Sequence, residues 1–376
     1  MTEAADLFSA PLAALDARGR LRRLVPRAGR DFASNDFLGL AGDRQIAQAV
    51  ADAVARGVPV GSGGSRLLRG NAPEHEALEA QAAAFFGSEA ALYFANGFVA
   101  NMALLSCLPQ RGDLIVADAL VHASAHDGIR QSKAAHVFAG HNDPQAFADA
   151  ITRWRAEGGM GRVWIAVETL YSMDGDIAPV SALAEIAAQH DAMLLIDEAH
   201  ATGVFGPGGR GIGAALEGQG NAVSLHTCGK GLGVEGALVC GPRSVIDWLV
   251  NRARPFIFST APSPLMAVAV GAALRRVEAA DDLRAGVMAL RRRAAEAICA
   301  PLGLPAPESQ ILPVILGEDK RTMAVAAALQ AAGFDVRGIR PPTVAPGTSR
   351  LRISLTLNVG LADVDALGVA LREALA

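Results

Sequence analysis

The stretch MLLIDEAHATG, residues 193–203, decides the fold. A short apolar run from Met193 to Ile196 leads straight into Asp197, Glu198 and His200, and Gly203 closes the segment. A run this short, bounded by charge and then glycine, predicts a buried parallel strand that delivers acid groups at its C-terminal end. In open α/β sheets that end is where ligands bind. Similar runs recur at DLIVAD (113–118), RVWIAVE (162–168), AVSLHT (222–227) and GALVCG (236–241), and AALYFANGF (90–98) reads as strand then turn. Ala-rich helical stretches such as PVSALAEIAAQHD (179–191) lie between several of them. Strands alternating with helices imply βαβ crossovers and a mostly parallel sheet.

The texture changes after FIFSTAPSP (256–264). Long Ala/Arg helices are expected over about 265–301, then short strands at ILPVILG (311–317), FDVRGI (334–339) and RLRISLT (350–356). That pattern predicts a smaller α+β domain. The expected division is an N-terminal segment, 1–45, packing with a small domain, 263–376, and a large domain, 46–262. A surface helix is expected from about Pro11 to Leu24, and a second helix over 74–87 with a glycine stop. The Gly-rich stretch GVPVGSGGSRLLRG (57–70) reads as a loop near a site, because flexible linkers rarely carry an arginine and leucines.

The chain has 376 residues and a net charge of −4, so it carries no electrostatic footprint for nucleic acid. The apolar window LMAVAVGAAL (265–274) is too short to span a bilayer and reads as a buried helix. Cys107, Cys228, Cys240 and Cys299 lie far apart without a CxxC, which argues against a zinc ribbon or disulfide framework. With no secretory signal pattern at the start, a cytoplasmic protein that needs no metal and meets no membrane is expected.

The letters DEAH also occur in helicase-type ATPases, which need a phosphate loop G-x-x-x-x-G-K-S/T. Around the Gly229–Lys230 pair, position 224 is Ser224 and Gly231 follows the lysine, so that reading fails at both ends. HEALE (75–79) carries Glu79 where a zinc helix would carry its second histidine, and reads as a surface helix. In LHTCGKGLG (225–233) a lysine stands between glycines just past an apolar strand, 33 residues after Asp197. A lysine held in a desolvated site has a lowered pKa and can condense with an aldehyde. A buried carboxylate nearby calls for a cationic partner. The pyridinium nitrogen of pyridoxal 5′-phosphate (PLP) is such a partner, and an acid beside it keeps the ring protonated.

These segments, with SNDFLGL, GSGGSRLLRGN, HEALE, SMDGDIAPV and IRPPTVAPGTSRLRISLT, resemble the α-oxoamine synthases from about residue 10 to the C-terminus. These are PLP-dependent transferases of fold type I that join an amino acid to an acyl thioester with loss of CO2. The resemblance implies a large domain with a mostly parallel seven-stranded sheet, a smaller α+β C-terminal domain, and a homodimer with shared sites. FAGHND (138–143) and the Pro-Pro-Thr segment look most like the biotin-pathway branch. That branch condenses L-alanine with pimeloyl-CoA or a pimeloyl-acyl carrier protein. Sister synthases use glycine or serine.

The resemblance also carries roles onto individual positions. Lys230 matches the lysine that binds the cofactor aldehyde and removes the substrate α-proton. Asp197 matches the partner of the pyridine nitrogen, His200 the partner of the phenolic oxygen, and His122 the imidazole stacked on the ring. Neighbouring His126 has no such support. Gly97, Phe98 and Thr227 match phosphate-binding positions, joined by Ser259 and Thr260 from the other subunit, and Ser172 matches a residue near the cofactor. Arg352 matches the arginine for the substrate carboxylate, although strand alternation places Arg350 on the same face. Asn35 matches a substrate contact, and Arg22 or Arg23 a contact for the distal carboxylate of the acyl chain. The segment between Arg23 and Ser34 is shorter than is usual in the family, and Glu235 stands where a small residue is common.

Overall fold

The computed structural model describes residues 6–376, which divide into two compact units. The larger comprises 35–172 and 176–285, and the smaller takes in the N-terminal segment through 34, residues 173–175, and 286–376.

The larger unit is built on seven strands: β1 (Ala90–Phe94), β2 (Leu114–Asp118), β3 (Ala135–Ala139), β4 (Val163–Glu168), β5 (Met193–Asp197), β6 (Ala222–Thr227) and β7 (Ala237–Gly241). Their order is β1-β7-β6-β5-β4-β2-β3. Only β7 runs against its neighbours, β1 and β6; every other pairing is parallel. The expected mostly parallel seven-stranded sheet is therefore present, with strand ends within a residue or so of the apolar runs.

Both faces of the sheet are covered, which is why its inner strands read as unbroken apolar runs instead of alternating ones. Ile115, Trp164, Leu195 and Val239 pack on one side with Leu104 and Ile129. Their chain neighbours Val116, Ile165 and Leu194 pack on the other with Phe147, Ile151 and Leu183. Burying each such Leu or Ile contributes about 1.5–3 kcal/mol, so hydrophobic burial sets the register and polar groups are left to the strand ends.

Chain order reverses between β2 and β4, because β3 pairs outside β2 before the chain crosses to β4. Such a switch point opens a crevice at the C-terminal ends of the strands. Two helices begin there: α1 (Gly97–Cys107) after β1 and α2 (Ala123–Gln131) after β2.

The smaller unit has a three-stranded antiparallel sheet of β8 (Ile311–Gly317), β9 (Arg337–Ile339) and β10 (Ser349–Ser354), in the order β9-β10-β8. Its core gathers Phe32, Leu312, Val314, Leu351 and Ile353 with Leu329 and Leu367 from the flanking helices. Arg30–Asp31 pairs in parallel with Phe334–Asp335. The first helix spans Ser9–Ala17 and is shorter than its composition suggests. Gly19, at φ +66°, adopts the left-handed conformation that ends helices, and the arginine-rich segment beyond it forms no regular element. Among the described residues no helix is long and apolar enough to cross a membrane.

HEALE lies on a surface helix that exposes Glu76 and Ala77 and turns His75 and Leu78 inward. His75 is fully buried: its Nδ1 accepts from the Ala72 N–H at 3.1 Å, and its Nε2 lies 2.8 Å from the Pro262 carbonyl oxygen. The Glu79 carboxylate takes a two-pronged bond from Arg66 at 2.8 and 2.9 Å, plus the Tyr93 N–H at 2.9 Å. The cation that permits this burial arrives from the 57–70 loop, a partner that no helical pattern encodes.

Candidate active site

Strand β5 delivers two acids that face different surroundings. Glu198 turns away into the protein, 1% exposed, and accepts from Thr169 Oγ1 at 2.6 Å and from the Ile212 and Gly213 N–H groups. It clamps loops together. Asp197 faces a cavity of about 320 Å³ in the larger unit, within the range of small-molecule sites. Its Oδ2 accepts from Asn101 Nδ2 at 2.6 Å and its Oδ1 from the Ala199 N–H at 2.9 Å. The two bonds fix the carboxylate in plane without neutralising it.

His122, His200, Thr227, Lys230 and Asn35 line the same cavity, as do Gly97 and Phe98. The residues therefore converge from the ends of β1, β2, β5 and β6. His122 is the N-cap of α2, and its Nδ1 accepts the Ser124 N–H at 3.2 Å. That assigns the proton of the neutral ring to Nε2. Burial holds the His122 pKa below its ordinary value; Asp197 opposes this and Lys230 adds to it, so the ring is neutral near pH 7.

At the start of α1, Asn96 Oδ1 accepts the Val99 N–H at 2.9 Å, leaving the Gly97 and Phe98 amides among the orphan donors of a helix start. Such a terminus favours an anion through both its N–H groups and its dipole. The wall is tight: a Cβ on Gly97 would lie 2.4 Å from Thr227 Cγ2. Gly97→Ala is expected to push Thr227 back and weaken cofactor affinity by about tenfold or more, equivalent to about 1.4 kcal/mol. Titrating PLP into the apoprotein checks this.

Two further residues line the cavity, Asn101 without a sequence signal and Glu168 marked only as the polar end of its strand. Asn101 lies in an apolar helix and Glu168 ends an apolar strand, directly opposite Asp197 in the β4–β5 register. Burial, reinforced by the Asp197 charge, pushes the Glu168 pKa well up, while the Ser172 N–H bonds to its carboxyl. Glu168 Oε1 is buried without a partner. Glu235 is exposed and lines the cavity mouth.

Other candidates lie elsewhere. Ser172 is buried behind Glu168 rather than on the cavity wall. Ser259 and Thr260 are exposed and line a separate cleft with Arg66 and Phe256. His126 packs on Phe138. Arg352, Arg22 and Arg23 belong to the smaller unit. There Arg350 is engaged by an ion pair with Asp174, whereas Arg352 Nη1 donates to Ser354 Oγ at 2.8 Å. Arg22 and Arg23 are exposed.

The donor set fits PLP: one lysine for an aldehyde, one fixed carboxylate for a pyridinium, a helix start closed by a hydroxyl for a phosphate, and a neutral imidazole for a flat ring. Comparison with known proteins agrees. The model of the family "Aminotransferase class I and II" matches residues 29–366. The chain is 44% identical to the 8-amino-7-oxononanoate synthase of Anaeromyxobacter dehalogenans (strain 2CP-1 / ATCC BAA-258), over 99% of this chain and 96% of that one. It is 42% identical to that of Paraburkholderia xenovorans over 98% of both. Among solved structures, the serine palmitoyltransferase of S. paucimobilis with bound PLP and myriocin superposes with a TM-score of 0.88 at 25% identity, covering 98% of each chain. The 8-amino-7-oxononanoate synthase of Francisella tularensis gives 0.78 at 26% identity, over 92% of this chain and 98% of that one. The cofactor is PLP, and the chain belongs to the class I and II aminotransferase family, in its 8-amino-7-oxononanoate synthase branch.

Proposed function

We propose that the protein carries out its branch's reaction with L-alanine and a pimeloyl thioester, either pimeloyl-CoA or pimeloyl-acyl carrier protein. The products are 8-amino-7-oxononanoate, CO2 and the free thiol, a step of biotin biosynthesis. The observation that carries this reading is the meeting of Lys230, Asp197 and His122 in one cavity beside an anion-binding helix start. Bound PLP supplies an electron sink for the charge left at the substrate α-carbon by loss of its proton and later of CO2.

The chain's own groups do the rest. Lys230 Nζ holds the cofactor between turnovers and takes the α-proton; Asp197 keeps the pyridine nitrogen protonated. His200 would meet the phenolic oxygen, and Gly97, Phe98 and Thr227 the phosphate. His122 would lie against the cofactor ring, and its Nε2–H could polarise the thioester carbonyl. Arg352 is assigned the alanine carboxylate, which its planar fork suits, and Asn35 a contact with the substrate. Ser172, off the cavity wall, bears on the cofactor's surroundings through Glu168, whose carboxyl its N–H bonds. Arg22 or Arg23 meets the distal carboxylate of the acyl chain.

Ser259 and Thr260 act from the second subunit of a homodimer. Their exposure, and that of Leu68, Phe98 and Phe258 at 84%, 44% and 70%, fits surfaces that a partner covers. The four free cysteines suit work in the cytoplasm.

The test is thiol release from pimeloyl-CoA by the PLP-loaded protein, with L-alanine, glycine or L-serine as the only amino acid. Release that depends on alanine is expected. Release only with glycine or serine would move the protein to a sister synthase.

A further inference from the structure

The motif FAGHND is not used by the site described above, yet its histidine holds an unusual position. His141 follows β3, with Nδ1 2.9 Å from Asp118 Oδ1 and Nε2 2.7 Å from Asp176 Oδ2. A neutral imidazole has one donor and one acceptor, so a ring with a carboxylate on each nitrogen satisfies both only as the doubly donating imidazolium. Asn142 doubles the link: its N–H reaches Asp118 Oδ2 at 2.9 Å and its Nδ2 reaches Asp176 Oδ2 at 2.7 Å. Its backbone sits at φ +52°, the left-handed region that asparagine tolerates better than most residues.

The two carboxylates belong to different loops; the first presents His122 to the cavity, and the second carries Ser172, whose N–H bonds the cavity residue Glu168. Asp118 ends β2 and shapes the turn before His122, accepting the Leu120 N–H at 2.8 Å while its carbonyl accepts Val121 N–H at 3.3 Å. Asp176 closes the hairpin after β4, where Leu170 pairs with Ile177 and the Tyr171 N–H bonds the Asp176 carbonyl at 3.0 Å. Ser172 lies inside that hairpin. β2 and β4 flank the switch point, so the His141 bridge joins the loops on its two sides.

We propose that His141 is a positioning residue: by bridging Asp118 and Asp176 it ties the turn that presents His122 to the hairpin whose Ser172 N–H holds Glu168. The role rests on the reading of the cavity given above. The facing groups are Asp118 on β2, Asp176 on the hairpin and the Tyr171 ring, edge-on at 4.5 Å. Burial works against the imidazolium, but the hydrogen bonds and charges of Asp118 and then Asp176 outweigh it and raise the His141 pKa. The sign follows from linkage: the tie is complete below the ordinary imidazole value and is lost as pH rises through the raised one.

The experiment uses holoenzyme and follows the visible circular dichroism of bound PLP, together with kcat, against pH. Wild type should show an alkaline transition. In His141→Gln, which keeps a donor but cannot titrate, the transition should vanish, and kcat should fall by at least about tenfold, within the about 10²-fold that a 1 Å misplacement costs. In Asp176→Asn, which keeps the Asp118 bond, the transition should move to lower pH. Variants that match wild type in kcat and in the dichroism profile while losing only thermal stability would overturn the proposal. If His141→Gln does not fold, an unmoved transition in Asp176→Asn overturns it alone. The dichroism needs no amino acid, so its result is separable from a failure of the alanine reading.

Discussion

Lys230→Ala should release thiol from pimeloyl-CoA at a rate lower by about 10⁴-fold or more, because one substitution removes both a nucleophile and a general base. The lysine reaches the cavity from a tight glycine-flanked turn after β6, where the Gly233 N–H bonds the Lys230 carbonyl oxygen at 2.9 Å and the Cys228 N–H bonds the Gly236 carbonyl oxygen at 2.9 Å. These backbone bonds do not involve the side chain, so the variant should fold normally. PLP should still bind through the α1 start and Asp197, but denaturation should free all of it, with none carried covalently. Mass spectrometry after borohydride treatment separates the two proteins: wild type gains the cofactor's mass irreversibly and the variant does not. A variant that retains more than about a hundredth of wild-type activity would remove Lys230 from the α-proton step.

Asp197→Asn is expected to be the next most damaging change. The carboxylate is held by Asn101 and by the Ala199 N–H. An opposite charge within hydrogen-bond reach favours a protonated base by about 1–3 pKa units. Its loss should therefore lower kcat by about 10- to 10³-fold, through a ring nitrogen that no longer keeps its proton. The amide also sets one N–H₂ group against the Asn101 amide, so Asn101 must flip to restore a bond. Steady-state kinetics with PLP in excess, compared with an N1-methylated PLP analogue whose charge is permanent, isolates the electrostatic part. The analogue should recover activity in Asp197→Asn, and equal loss with both cofactors would point to simple misplacement.

What the sequence revealed follows from where each residue's partners lie. The inner strands were legible because burial on both faces turns them into unbroken apolar runs, and their polar ends mark the crevice. β3 escaped notice because it is an edge strand with exposed His136 and Phe138. Asn101 has no local sign because it sits in an apolar helix, and although Glu168 is a polar strand end, only the register of β4 on β5 brings it opposite Asp197. Alternation places Arg350 and Arg352 on one face; in the structure Arg350 pairs with Asp174 and Arg352 bonds Ser354 Oγ. The burial of His75 and the pairing of Glu79 on their surface helix have no local sign, because their partners, Pro262 and Arg66, lie outside the helix. Local patterns thus announced the scaffold, whereas contacts between strand ends completed the site.

The most direct measurement is the fate of the alanine carboxyl carbon. L-alanine labelled at C1 is incubated with the PLP-loaded protein and pimeloyl-CoA, and CO2 and the organic product are analysed by mass. The account predicts one labelled CO2 for each thiol released and an unlabelled 8-amino-7-oxononanoate. Label kept in a keto acid, with pyridoxamine phosphate left on the protein and no thiol released, would contradict it and identify amino-group transfer as the reaction of this site.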